Sequence, residues 1–91
     1  MNSGLSNKLT VSGTTRTSGL LNSNGTAGVP SYRFSNNGDT GMYLADVSGI
    51  LGFSTNNIEA IRIDETQNVG IGITPTQRLH VNGNILSLIH I

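Results

Sequence analysis

The 91-residue sequence contains no cysteine, no tryptophan and only two prolines, and aromatic side chains make up 4% of it. Without cysteine there is no disulfide framework and no thiolate metal site. Charge is as sparse: five basic residues stand against five acidic ones, charged residues total 11%, and the formal net charge is zero. No basic patch is available to neutralise phosphates, so the composition speaks against nucleic-acid binding. Disorder driven by charge is also disfavoured, because it requires a high net charge together with low hydrophobicity. Met1 is followed by polar residues, without the apolar stretch of a signal peptide. No uncharged apolar run approaches the ~20 residues that cross a bilayer, so membrane insertion is not expected. Hydrophobic residues reach only 35%. A core that thin leads us to expect one domain, or a piece of a longer chain, that completes its burial by associating with copies of itself.

What the sequence does hold is a period of two. In Ile58-Glu59-Ala60-Ile61-Arg62-Ile63-Asp64, Ile61 and Ile63 lie two apart. Val69, Ile71 and Ile73 repeat the step with Gly70 and Gly72 between them, and Leu79 and Val81 repeat it again between Arg78, His80 and Asn82. Successive side chains on a strand point to opposite faces, so these runs predict three short strands. Ile61, Ile63, Val69, Ile71, Leu79 and Val81 are therefore the candidate core or interface. Glu65-Thr66-Gln67 and Thr74-Pro75-Thr76-Gln77 are short and polar, and both are expected to be hairpin-like turns. Arg62 and Asp64 share the other face and could form an ion pair between protomers, worth under about 1 kcal/mol if exposed.

Upstream, Tyr32 and Phe34 share a face ahead of the turn cluster Asn36-Asn37-Gly38-Asp39, where Asn37-Gly38 suits positive φ. Gly41-Met42-Tyr43-Leu44-Ala45 returns as a strand to complete a hairpin. Asp46-Val47-Ser48-Gly49 turns into Ile50-Leu51-Gly52-Phe53-Ser54. Residues 1–29 are a polar N-terminal segment and a linker rich in Gly, Ser, Thr and Asn, with a turn or shallow hairpin at Asn24-Gly25. One short strand is expected there, because Lys8-Leu9-Thr10-Val11-Ser12-Gly13 matches Arg78-Leu79-His80-Val81-Asn82-Gly83 in pattern: basic, Leu, any, Val, small polar, Gly. Residues 30–85 form the β-rich unit. Residues 86–91 are an apolar tail, and we expect either that the chain continues beyond them or that this end is not native sequence. No sustained i, i+3, i+4 apolar pattern appears, so no long helix is expected.

Taken in order, Ser31-Tyr32-Arg33-Phe34-Ser35, Asp39-Thr40-Gly41-Met42-Tyr43, Gly52-Phe53-Ser54-Thr55, Ile61-Arg62-Ile63-Asp64, Asn68-Val69-Gly70-Ile71-Gly72 and Leu79-His80-Val81-Asn82-Gly83 form a series. The series resembles the distal shaft of bacteriophage tail fibres and tailspikes that carry an endosialidase-type intramolecular chaperone. The resemblance covers roughly residues 30–85. It implies a slender, all-β, intertwined homotrimer of short strands and hairpins, assembled in the bacterial cytoplasm and incorporated in the virion. It also implies a downstream chaperone domain, none of whose catalytic residues has a counterpart here. Related segments occur in bacterial surface and prophage proteins, so an adhesin repeat is an alternative setting.

Chemistry is thinly represented. Gly70-Ile71-Gly72 lacks the third glycine of a dinucleotide fingerprint, since position 75 is Pro. Gly70 and Gly72 are read instead as glycines that let backbones approach closely. His80 and His90 have no ligand partners in a metal pattern, and the five carboxylates Asp39, Asp46, Glu59, Asp64 and Glu65 form no calcium loop. Neither a nucleophile elbow nor a catalytic carboxylate pair is recognisable. The expectation is a structural, non-enzymatic fibre segment without cofactor or metal. Its rival is a glycan-binding module of the fibre tip, with residues 36–39 or 55–57 touching a host surface glycan.

Overall fold

The computed structural model describes residues 8–86. It is all-β: six strands form one sheet in the order of the sequence, and no helix occurs among the described residues. The strands are β1 (Tyr32–Phe34), β2 (Asn37–Asp46), β3 (Ile50–Thr55), β4 (Ile58–Ile63), β5 (Val69–Ile71) and β6 (Leu79–Val81). The molecule is elongated, 63 × 28 × 26 Å.

Each turn has a local cause. The β3–β4 hairpin closes through Asn56 and Asn57 at φ 49° and 75°. Two consecutive left-handed residues match the right-handed twist of the flanking strands, and Asn tolerates that conformation better than most residues. After β2, Gly49 N–H donates to the Asp46 carbonyl (3.0 Å) and Ser48 N–H to Asp46 Oδ1 (3.0 Å). Between β4 and β5, Asp64 Oδ1 accepts the amides of Thr66 (3.0 Å) and Asn68 (2.9 Å), and Gln67 takes φ 68°.

Three sequence expectations need correction here. The connection after β5 is no hairpin: β5 and β6 run parallel, pairing Val69 with Leu79, Gly70 with His80 and Ile71 with Val81. Parallel neighbours usually need a crossover of a dozen or more residues, whereas residues 72–78 suffice here. The crossover is short because it lies directly on β5. A Cβ on Gly70 would collide with the Ile73 carbonyl and come within 2.9 Å of Pro75 Cδ. The β1–β2 turn falls at Ser35-Asn36 and not at Asn37-Gly38, which already belongs to β2. Residues 8–13 form no strand, and Leu9 and Val11 are exposed. Residues 79–81 are ordered by the neighbouring β5, whereas residues 8–13 have no strand to pair with among the described residues. The linker does contain a small hairpin, in which Thr26 and Val29 exchange backbone hydrogen bonds of 3.0 and 3.2 Å and Gly25 bridges Pro30. Of the apolar tail, Leu86 is exposed and residues 87–91 lie outside the described residues.

Candidate functional site

The register sorts the sheet into two unlike faces. On one, paired residues form a row of Tyr32, Met42, Phe53, Ile61, Ile71 and Val81, one from each strand. Beside it runs a second row, Leu44, Leu51, Ile63, Val69 and Leu79. All six candidate interface residues from the sequence thus share one surface. That surface is not buried: Tyr32 is 54% exposed, Ile61 38%, Ile71 41% and Leu79 58%, while Ile63, Val69 and Val81 are half-buried. With strands ~4.8 Å apart and rows ~7 Å apart, the stripe covers roughly 300–450 Å² in plan. That is within the range of about 300–600 Å² for the largest apolar patch on a typical monomer, a patch that is often functional. It carries no formal charge.

The other face is closed by the chain itself. Its central row reads Tyr43, Gly52, Arg62, Gly70 and His80, so glycines alternate with larger side chains. The Tyr43 ring lies over Gly52, where a Cβ would stand 2.5 Å from Tyr43 Cζ and 2.9 Å from Glu59 Oε1. Only glycine leaves room for that arrangement. The residues 72–78 crossover covers Gly70 in the same way and buries Pro75. At the far end the linker hairpin seats Pro30 in full burial, and the buried Ser54 hydroxyl donates to the Ala27 carbonyl at 2.8 Å. Gly72 sits at φ +73° with Asn82 Cβ 3.6 Å from its Cβ position, so conformation and not crowding distinguishes it from Gly70.

Between these two covers lies a polar cluster that the sequence did not reveal. The Tyr43 hydroxyl donates to Glu59 Oε1 at 2.5 Å, and Arg62 grips Glu59 with Nε–Oε2 at 2.8 Å and Nη2–Oε1 at 3.0 Å. Residues three apart on a regular strand face opposite ways. The register shift between Phe53 and Ser54 breaks that alternation: Phe53 pairs with Ile61 but Ser54 with Glu59, so Ala60 is the extra residue and Glu59 swings to the side of Arg62. The intramolecular partner of Arg62 is therefore Glu59, while Asp64 is committed to its own turn. Burial, with help from Glu59, pushes the Tyr43 hydroxyl up to about 12. Burial would also raise the Glu59 carboxyl, but hydrogen bonds from Arg62 and Tyr43 together with the Arg62 charge outweigh it and hold the group below its ordinary value. Asp64 is lowered mainly by the Asn68 backbone amide. The Tyr43 hydroxyl, both Glu59 oxygens and the Nε and Nη2 of Arg62 are engaged with one another, which suits a structural tie.

The two loops suggested as glycan contacts come together at one end. Asn37 Nδ2 donates to Asn56 Oδ1 (2.9 Å), Thr40 Oγ1 to Asn37 Oδ1 (3.0 Å), and the Asn57 amide to the Asp39 carbonyl (2.9 Å). His80 accepts the Thr76 amide at Nδ1 (3.2 Å) and fastens the crossover; His90 lies outside the described residues. No group of three His, Cys, Asp or Glu side chains able to hold a metal occurs among the described residues, and no described helix is long and apolar enough to cross a membrane. Comparison with protein families, with curated proteins and with solved structures finds no match.

Proposed function

We propose that this chain is a structural segment of a bacteriophage or prophage tail fibre or tailspike, acting as a homotrimer that supports attachment to the host cell. The observation that carries the reading is the two-faced sheet: one face is closed by its own loops, and the other is an uncharged apolar stripe across all six strands that no described residue covers. A chain so built has its work in assembly, and the motif series in residues 30–85 gives that assembly its fibre setting. In this reading it is not an enzyme and uses no cofactor. It resides in the virion after assembly in the cytoplasm, where a chaperone domain further along the full protein helps three copies to fold together. The deciding experiment is light scattering on the full reading frame, with Ile61→Asp and Ile71→Asp beside the parent. Each substitution removes a large apolar side chain and places a carboxylate without a partner on the stripe, a loss of several kcal/mol if the stripe is buried against other copies. Trimeric parent and failed variants are expected. A folded monomeric parent, or variants that assemble like the parent, would refute the reading.

A second reading, a glycan-binding module of the fibre tip, gains support from the meeting of residues 36–39 with residues 55–57. The side-chain amide of Asn37 is spent within that cluster on both sides, which leaves it little capacity for a ligand. Retained cell binding after Asn37→Ala and Asn56→Ala would argue against it.

A further inference from the structure

Arg62 is paired with Glu59, and Arg78 Nη1 reaches the Thr66 carbonyl at 3.2 Å. Arg33, the remaining arginine on the sheet, has neither a carboxylate partner nor a hydrogen-bond acceptor among the described residues. It is one of the residues that line an open cleft of about 430 Å³ between β1 and the linker hairpin. The cleft is lined by the hydroxyl-bearing residues Ser23, Thr26 and Ser31, by the exposed Val29 and by the buried Pro30, and no acidic residue lines it. Thr26 Oγ1 accepts the Val29 amide at 3.0 Å, so its own hydrogen remains free to donate. Ser31 Oγ is held only by a long 3.4 Å contact to the Met42 carbonyl.

We propose that this cleft binds a small hydroxylated carboxylate of the sugar-acid class. The carboxylate lies against the Arg33 guanidinium, whose fork matches two carboxylate oxygens. The ring hydroxyls meet Ser23, Thr26 and Ser31, and the carbon face rests on the exposed Val29 side chain. A cleft of this size accommodates one sugar ring, and a few convergent polar groups over an apolar wall are the usual make-up of a small-molecule site. The site is independent of the fibre reading: it lies at the sheet edge by β1, on residues that the apolar stripe does not use.

The test is a ¹⁵N–¹H titration of the protein with sodium glucuronate, with sodium acetate and glucose as separate arms. Saturable shifts at the Ser23, Thr26, Ser31 and Arg33 amides are expected with glucuronate. Acetate, which lacks the hydroxyls, and glucose, which lacks the charge, should each bind roughly tenfold or more weakly. Arg33→Gln should weaken glucuronate binding by about the same factor while Tyr43 and Gly70 signals stay in place, and Arg33→Lys, which keeps the charge but loses the fork, should fall between. Should Arg33→Gln disturb the fold, Arg33→Lys and Ser23→Ala carry the comparison. Shifts shared equally by Arg16 and Arg78, glucose binding as well as glucuronate, or undiminished binding in the Arg33 variants would each overturn the proposal.

Discussion

Replacing Gly70 with alanine adds one methyl group at the point where the crossover touches β5. That methyl would collide with the Ile73 carbonyl oxygen and press on Pro75 Cδ at 2.9 Å. A backbone oxygen and a proline ring cannot rotate aside, so either the strand or the crossover must move. Overpacking of this kind costs about 1–3 kcal/mol. Alanine also restricts the unfolded chain, which returns about 0.4–1 kcal/mol. The net expectation is a loss of about 1–2 kcal/mol. Gly72→Ala provides the contrast: its Cβ meets nothing closer than 3.6 Å, but φ +73° costs a non-glycine residue about 1–2 kcal/mol. Gly38→Ala, with no atom within 4 Å and no positive φ, should be neutral or slightly stabilising. Urea denaturation at one fixed protein concentration ranks the three variants. Hydrogen exchange then separates mechanisms that give similar losses. A lifted crossover should speed exchange at the Val69 amide, bonded to the Arg78 carbonyl at 2.8 Å, and at the Asn82 amide, bonded to the Ile71 carbonyl at 2.9 Å. Only Gly70→Ala should do this strongly. If Gly70→Ala matches Gly38→Ala in stability and leaves both amides as protected as in the parent, the close approach does not hold β6 in place.

The Tyr43–Glu59–Arg62 cluster predicts a stability profile with two pH-dependent limbs. Tyr43 has its folded pKa raised to about 12, so its contribution is whole below pH 10 and is lost as pH rises from 10 to about 12; Tyr43→Phe should flatten that limb in denaturation midpoints. Glu59 is lowered in the folded state, so its contribution is present above the ordinary carboxylate range and is lost as pH falls through the depressed value; Glu59→Gln should remove that limb. Arg62→Ala breaks two hydrogen bonds and leaves a half-buried carboxylate with Tyr43 alone, for a loss of about 1–2 kcal/mol by urea denaturation, against near zero for an exposed, unpaired arginine such as Arg16. Gln67→Gly relieves a left-handed residue at φ 68° and should raise thermal stability by up to about 1 kcal/mol, whereas a lower melting temperature would mean that the Gln67 side chain matters more than its backbone.

The period of two in the sequence was enough to find the strands from Ile50 onward and to group Ile61, Ile63, Val69, Ile71, Leu79 and Val81 on one surface. Alternation is a local property, and each of these residues could be sided from its immediate neighbours. What escaped depends on how neighbouring segments pair and pack, which alternation within one strand does not encode. The parallel pairing of β5 with β6 turns on Gly70 making room for Ile73 and Pro75, and Thr74-Pro75-Thr76-Gln77 alone resembles any polar turn. The Glu59–Arg62 pair exists only because Ala60 bulges opposite Ser54, and a bulge has no signature in Glu59-Ala60-Ile61-Arg62. The likeness of residues 8–13 to residues 78–83 is real as a pattern, but a strand needs a ladder to join. Leu79 finds one on β5, whereas Leu9 has none among the described residues. The cleft beside Arg33 is similarly hidden, because Ser23 and Arg33 meet only after the linker hairpin folds back.

In this sheet each strand neighbours only the strands next to it in sequence, and that order bears on how the chain comes to be folded. No strand has to wait for a distant partner, so ordering can advance from β1 to β6 with short loops closed one at a time. A chain leaving the ribosome can pair each new strand with the one just made and then clamp the last with the crossover over Gly70. The steps within one chain thus depend on time alone. Covering the apolar stripe is different in the proposed assembly: no described residue of the same chain does it, so its rate would be set by how many finished chains are nearby.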